Sequence, residues 1–203
     1  MDTLETTQTT ALAKAKARIN ELPEAIQLGL RAQQQRTQSG VIVVSPPAIK
    51  LTDHELFAIV ITNGISKIEM FNKTLNEGLA TNIHQGTIPA DMHFLLTSIV
   101  VQSCSAVATI ALASALSFSS PDPILRNAKF TMKCGKDVFF DKCSGGIFQI
   151  EKANLEHGEY QVECPRWMSP LEPLSFEFIE LGAILTATTW VKLRLRGVCT
   201  TKK

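Results

Sequence analysis

The side chains of this chain that can do chemistry are four histidines, five cysteines and two close carboxylate pairs. His54, His84, His93 and His157 each lack a second ligand or nucleophile at a motif spacing. Cys104, Cys134, Cys143, Cys164 and Cys199 form an odd set with no C-x-x-C pair. Cys134, Cys143, Cys164 and His157 offer the donor types of a zinc site. Their spacing matches neither a knuckle nor a ribbon, so no metal is expected. Asp53/Glu55 and Glu177/Glu180 have the residue types of a glycosidase pair or a calcium ligand set, but carboxylates on a strand surface are ordinarily solvated. No G-x-S-x-G, H-E-x-x-H, Walker loop or G-x-G-x-x-G occurs. The expectation is a protein with no catalytic residues and no cofactor, and so not an enzyme.

The basic residues point to another chemistry. Lys14, Lys16, Arg18, Arg31 and Arg36 decorate the N-terminal segment, and Lys192, Arg194 and Arg196 alternate near the C-terminus, ahead of Lys202 and Lys203. Such positions are candidates for phosphate contact without reading of bases, or else form a solvated face. Trp167, Trp190 and Tyr160 are far apart in sequence, which argues against a base-stacking platform. The formal net charge is +1 and the pI about 7.7. That excludes a strongly basic nucleic-acid binder of the histone type. Any polyanion must be held by local patches or by many copies acting together.

The elements that would position these residues fall into two parts. Residues 1–40 read as a helical N-terminal arm. Ala11–Leu22 is built of helix formers, with an apolar stripe at Leu12, Ala15, Ile19, Leu22 and Ile26. Pro23 stands where a second helix can begin, and Gly40 ends the arm. Residues 41–203 read as strands. They are Val41–Val44, Leu56–Thr62, Ile65–Phe71, Phe94–Ser103, Ala106–Phe118, Lys129–Cys134 and Asp137–Phe140. Tyr160–Cys164, Leu174–Leu181 and Ala187–Cys199 complete the set. Ser144–Gly146 reads as a sharp turn and Pro165–Pro173 as a loop. Val191, Leu193 and Leu195 alternate strictly with Lys192, Arg194 and Arg196, so one face lies in a core and the other is wet or meets a polyanion. Eight or nine strands with turns about every ten residues is the pattern of a β-sandwich or jelly roll.

Between Phe94 and Pro121 no residue is charged, a length that raises the question of a membrane span. The stretch is rich in Ser and Thr, lacks flanking basic or aromatic anchors, and alternates large with small side chains over 106–118. It is therefore expected to be a buried strand rather than a membrane helix. Met1–Thr10 is polar and acidic, unlike a secretory signal, and the thiols are expected to be free in a reducing compartment.

The order of features from Ile110 to Cys199 resembles a known family. Ser119-Ser-Pro-Asp-Pro123 is followed by Ile124, Gly135, Val138-Phe-Phe140, Gly145-Gly-Ile147 and Val162-Glu-Cys-Pro165. This resembles the coat proteins of small icosahedral plant positive-strand RNA viruses, tymoviruses most of all. There an Asn-Ser-Pro-x-x-Pro loop, a Gly-Gly turn and a Val-x-x-Pro segment follow in the same order. The resemblance implies a single eight-stranded antiparallel jelly-roll sandwich that self-assembles into an icosahedral shell. Its implied partners are further copies of itself and viral nucleic acid, single-stranded RNA, with no membrane. Its implied place is the virion, with assembly in the host cytoplasm. In that family the arm is extended and Pro-rich, whereas here it reads helical.

Physical arguments lead the same way. A large apolar fraction with few charges suits an obligate oligomer, and weak phosphate affinity per subunit sums over a shell. The competing reading is a non-capsid jelly-roll binding module, such as a viral movement protein or a trimeric ligand-type protein.

Overall fold

The strongly alternating C-terminal segment becomes the central strand of one sheet. In the computed structural model the described residues are 49–62, 66–71, 75, 78–149, 155–185 and 188–202. The expected arm over 1–40 and the strand expected at Val41–Val44 lie outside them. Strands β1 (Ile49–Ile61) and β3 (His93–Ser105) flank β8 (Thr189–Lys202), and β6 (Glu159–Met168) completes the order β1-β8-β3-β6. A second sheet has the order β2-β7-β4-β5, from β2 (Ile68–Met70), β4 (Lys129–Cys134), β5 (Asp137–Ser144) and β7 (Leu174–Ile179). All neighbouring strands are antiparallel. The described residues are thus mainly β, in two four-stranded sheets. The nested pairs β1·β8, β2·β7, β3·β6 and β4·β5 give the strand order of a jelly roll.

Val191, Leu193 and Leu195 are buried in the core between the sheets, as the alternation predicts. Opposite them Phe130 is the hub of an aromatic cluster. It lies 5.2 Å from Phe176 in a stacked pair and 5.1 Å from Phe148 and 5.6 Å from Phe140 in tilted ones. The even-numbered residues of β4 and β7 meet here because Phe130 pairs with Phe178 and Met132 with Phe176.

Three expectations are corrected. Ala106–Phe118 is not a strand: it is irregular, with a 3₁₀ turn over Ile110–Ala115. It crosses from β3 in one sheet to β4 in the other, over the outer face of the first sheet. There it meets side chains rather than a free strand edge. Its backbone closes locally instead, Leu112 N–H donating to Thr109 O and Leu116 N–H to Ala113 O. Ala106, Ala108, Ile110, Leu116 and Phe118 still pack downward, on Ile59, Ala113 and Trp190, but the alternation breaks at the 3₁₀ turn, where Leu112 is exposed and Ala113 is buried. The loop expected from Pro165 begins later, because β6 runs through Met168. Proline is tolerated there because β6 is an edge strand and Pro165 lies in its irregular stretch. Pairing passes from Leu96↔Arg166 to Ser98↔Gln161 across a bulge. Finally, the sharp turn at Ser144–Gly146 opens a 3₁₀ turn over Gly145–Gln149.

Asp122, expected in a loop, caps a short helix, α1 (Pro123–Asn127). Its carboxylate accepts from Ile124 N–H at 2.8 Å, and Pro123 opens the first turn.

Gly197 interrupts the inward alternation of β8 for a steric reason. A Cβ there would collide with the Leu95 carbonyl and the Phe94 ring. Gly197→Ala is expected to lower stability by about 1–3 kcal/mol, as overpacking does in closed cores. Urea denaturation would measure this as a lower midpoint at unchanged slope.

Candidate functional site

Three connections leave the same end of the sandwich: β1 to β2, β3 to β4, and β7 to β8. The antiparallel pairings require this, since Ile61 and Ser105 end strands where Trp190 and Thr189 begin one. Each connection includes most or part of a stretch without a charged residue, Leu56–Ser66, Phe94–Pro121 and Leu181–Val191. Backbone hydrogen bonds tie them together. Thr62 N–H donates to Thr189 O and Ala106 N–H to Thr188 O, both at 3.0 Å. The Trp190 indole donates to Ala106 O at 3.0 Å.

The uncharged stretches of these connections carry exposed apolar side chains among the described residues. Val107 is 95% exposed, Ile184 67% and Leu112 58%, and Thr109, Ala111, Ala115, Gly182 and Ala183 are exposed around them. Ion pairs lie on nearby strands: Lys67 joins Glu69 and Glu177, and Lys129 joins Glu180. An apolar, charge-free centre with charged groups at its margin is the anatomy of a protein–protein interface. The sequence shows each uncharged stretch singly, and only the topology shows that they share one end.

The outer face of the first sheet carries the expected basic residues of β8. Arg194 and Arg196 do not form a bare cationic stripe. The Glu156 carboxylate bridges both guanidinium groups, Arg196 also reaches Glu55 at 3.1 Å and Glu159 at 3.2 Å, and Arg194 lies 3.6 Å from Glu55. Gln102 joins the cluster, accepting from Arg194 at 3.2 Å and donating to Glu156 at 3.0 Å. The Arg194 side chain is only 11% exposed. Burial pushes the Glu156 carboxyl up, but Arg194 and Arg196 outweigh that and hold it below the usual carboxylate range. Lys192 stands apart from these ion pairs, with its ammonium 5.4 Å from the centroid of the Phe118 ring. Burial, then repulsion from Arg194, lowers its pKa. Two arginines against three carboxylates leave little positive field for a polyanion here. Lys14, Lys16, Arg18, Arg31 and Arg36 lie outside the described residues.

The other candidate groups are dispersed. Among the described residues, no group of three or more His, Cys, Asp or Glu side chains is arranged to hold a metal, so Cys134, Cys143, Cys164 and His157 are not brought together. Cys134 is buried and its thiol is pushed up to about 11, chiefly by burial. Cys199 is buried and lies 3.3 Å from Thr52 Oγ1. Among the described residues, no helix is long and apolar enough to cross a membrane.

No protein-family model matches the chain, and no curated protein matches it in sequence. Among solved structures, the chain is similar to PRD1 vertex protein P5. The two share 14% sequence identity at a TM-score of 0.32, over 76% of this chain and 99% of that one.

Proposed function

We propose that this protein is a structural capsid subunit. It self-assembles through the charge-free end of its jelly-roll sandwich into an icosahedral shell and encloses nucleic acid, RNA by the motif resemblance. It acts as neither an enzyme nor a membrane protein. The carrying observation is that three connections containing uncharged stretches leave one end of the sandwich and carry exposed apolar side chains. Exposed Val107, Leu112 and Ile184 are costly to leave in water, and the lack of charge in the stretches that carry them lets identical copies meet without repulsion. The nested strand order agrees with the coat-protein resemblance of the 110–199 region. Fold alone does not assign function, and the exposed end adds a physical reason for assembly.

With Arg194 and Arg196 neutralised within the subunit, phosphate contact falls to the arm. Lys14, Lys16, Arg18, Arg31 and Arg36 supply sequence-independent attraction that sums over many copies. Light scattering behind size exclusion tests the whole reading. The wild-type chain is expected as a megadalton species with absorbance weighted to 260 nm. Changing Lys14, Lys16 and Arg18 to Gln should keep the particle and reduce its nucleic acid. A discrete trimer with a protein-like absorbance ratio would instead support the binding-module reading.

A further inference from the structure

The ion cluster on the outer face is joined to the apolar end by a continuous set of contacts. Glu156 is held by Arg194, Arg196 and Gln102. Gln102 Nε2 also donates to the His157 carbonyl at 3.3 Å, and the Gly158 carbonyl accepts from Val101 N–H at 3.0 Å. Residues 156–158 are thereby laid flat along β3. Gly158 has φ +81°, and a Cβ there would collide with the Val101 carbonyl and stand 3.1 Å from Pro121 Cδ. No other residue type allows so close an approach.

Pro121 ends the uncharged crossing segment that carries Val107 and Leu112. On its other side that segment is fastened to β3. The Ser103 hydroxyl donates to Ser120 O at 3.2 Å, and Ser119 N–H donates to Ser103 O at 3.1 Å. Phe118 lies beneath the Lys192 ammonium, and Lys192 precedes Arg194 by one pleat of β8. Residues 118–121 therefore run beside the 156–158 turn along the edge of β3, with Phe118 over the outer face.

We infer that the Glu156–Arg194–Arg196–Gln102 cluster is a positioning latch that holds the 106–121 segment in its assembly-competent form, so that opening the latch unseats that surface. The regulatory part of this inference rests on the assembly reading above, whereas the mechanical coupling does not. The groups facing Glu156 are Lys192, Arg194 and Arg196 from β8, Glu55 from β1, Gln102 from β3, Glu159 from β6, and its neighbour His157. Among these, acid removes the charge of Glu156 and leaves Arg196 charged. Because the folded Glu156 carboxyl titrates below its ordinary value, its contribution is complete above the ordinary carboxylate range. It disappears as pH falls through the folded value.

The test is amide hydrogen exchange by mass spectrometry on the full chain, at a concentration where light scattering shows only subunits. Glu156→Gln should raise exchange about tenfold at Leu112, Leu116 and Ser119 as well as over 155–159, a coupling of the size found within shared networks. Peptides from β4 and β7 should be unchanged. Gln102→Met, which leaves the arginine–glutamate pairs in place, should move the same segments by less and serves if Glu156→Gln fails to fold. Faster exchange over 155–159 with Ser119 and Leu116 unchanged would overturn the latch, even if particles form. The expected exchange in a chain that never forms particles would uphold the latch and remove the assembly reading.

Discussion

Val107→Glu combined with Ile184→Glu is expected to give folded subunits that do not assemble. Both side chains are more than half exposed, so neither substitution opens a cavity or buries a charge within the subunit. Surface changes of that kind stay within about 0.5 kcal/mol of wild-type stability. In an assembled particle the same two positions would place like charges from neighbouring copies in a desolvated contact. Juxtaposed like charges at an interface cost several kcal/mol, and that cost recurs at every contact of a closed shell. Light scattering should show the megadalton species replaced by subunits, with an unchanged circular dichroism spectrum and urea midpoint. Particles of normal size and yield from the double variant would remove this end of the sandwich from the assembly contacts. A control at Lys136, in the β4–β5 turn at the opposite end, should assemble as wild type does when changed to Glu.

Phe130→Ala is expected to cost about 3–5 kcal/mol, a large part of the stability of a domain of this size. The side chain is fully buried and its ring lies within 6.4 Å of four others, those of Phe140, Phe148, Phe176 and Phe178. These partners come from β5, the turn after it and β7, so the cavity would open where three elements converge and none can collapse alone. Phe130→Leu keeps most of the volume and should lose less than half as much. Urea denaturation of both variants measures the difference. A cost below about 1 kcal/mol for the alanine variant would mean that the two sheets close over the gap.

How far the sequence carries depends on whether a feature is local. The inward set Val191, Leu193 and Leu195 was legible because a strand buried on one face writes its burial at period two. Over 106–118 the same signal misled. Period two records which side chains are covered, and Ala108, Ile110 and Phe118 are covered by Ile59 and Trp190 without any strand partner. The basic residues of β8 were equally legible, but their partners were not: Glu55 and Glu156 lie 141 and 40 positions from Arg196. The apolar end stood between these cases. Its three uncharged stretches are plain in the sequence, and the pairing of β8 with both β1 and β3 brings them to one end.

The nesting of the strands also governs when the subunit becomes complete during synthesis. Ile49 pairs with Lys202 and Ile61 with Trp190, so the first strand described waits for the last. β8 is the only bridge between β1 and β3 in their sheet. While residues 189–202 are still within the ribosome, the first sheet lacks its centre. Thr188 and Thr189 are then also missing from the apolar end that they tie together. Contacts of such long sequence separation form late and slowly. A nascent chain therefore lacks the finished first sheet, and the ties across its apolar end, until residues 188–202 have emerged.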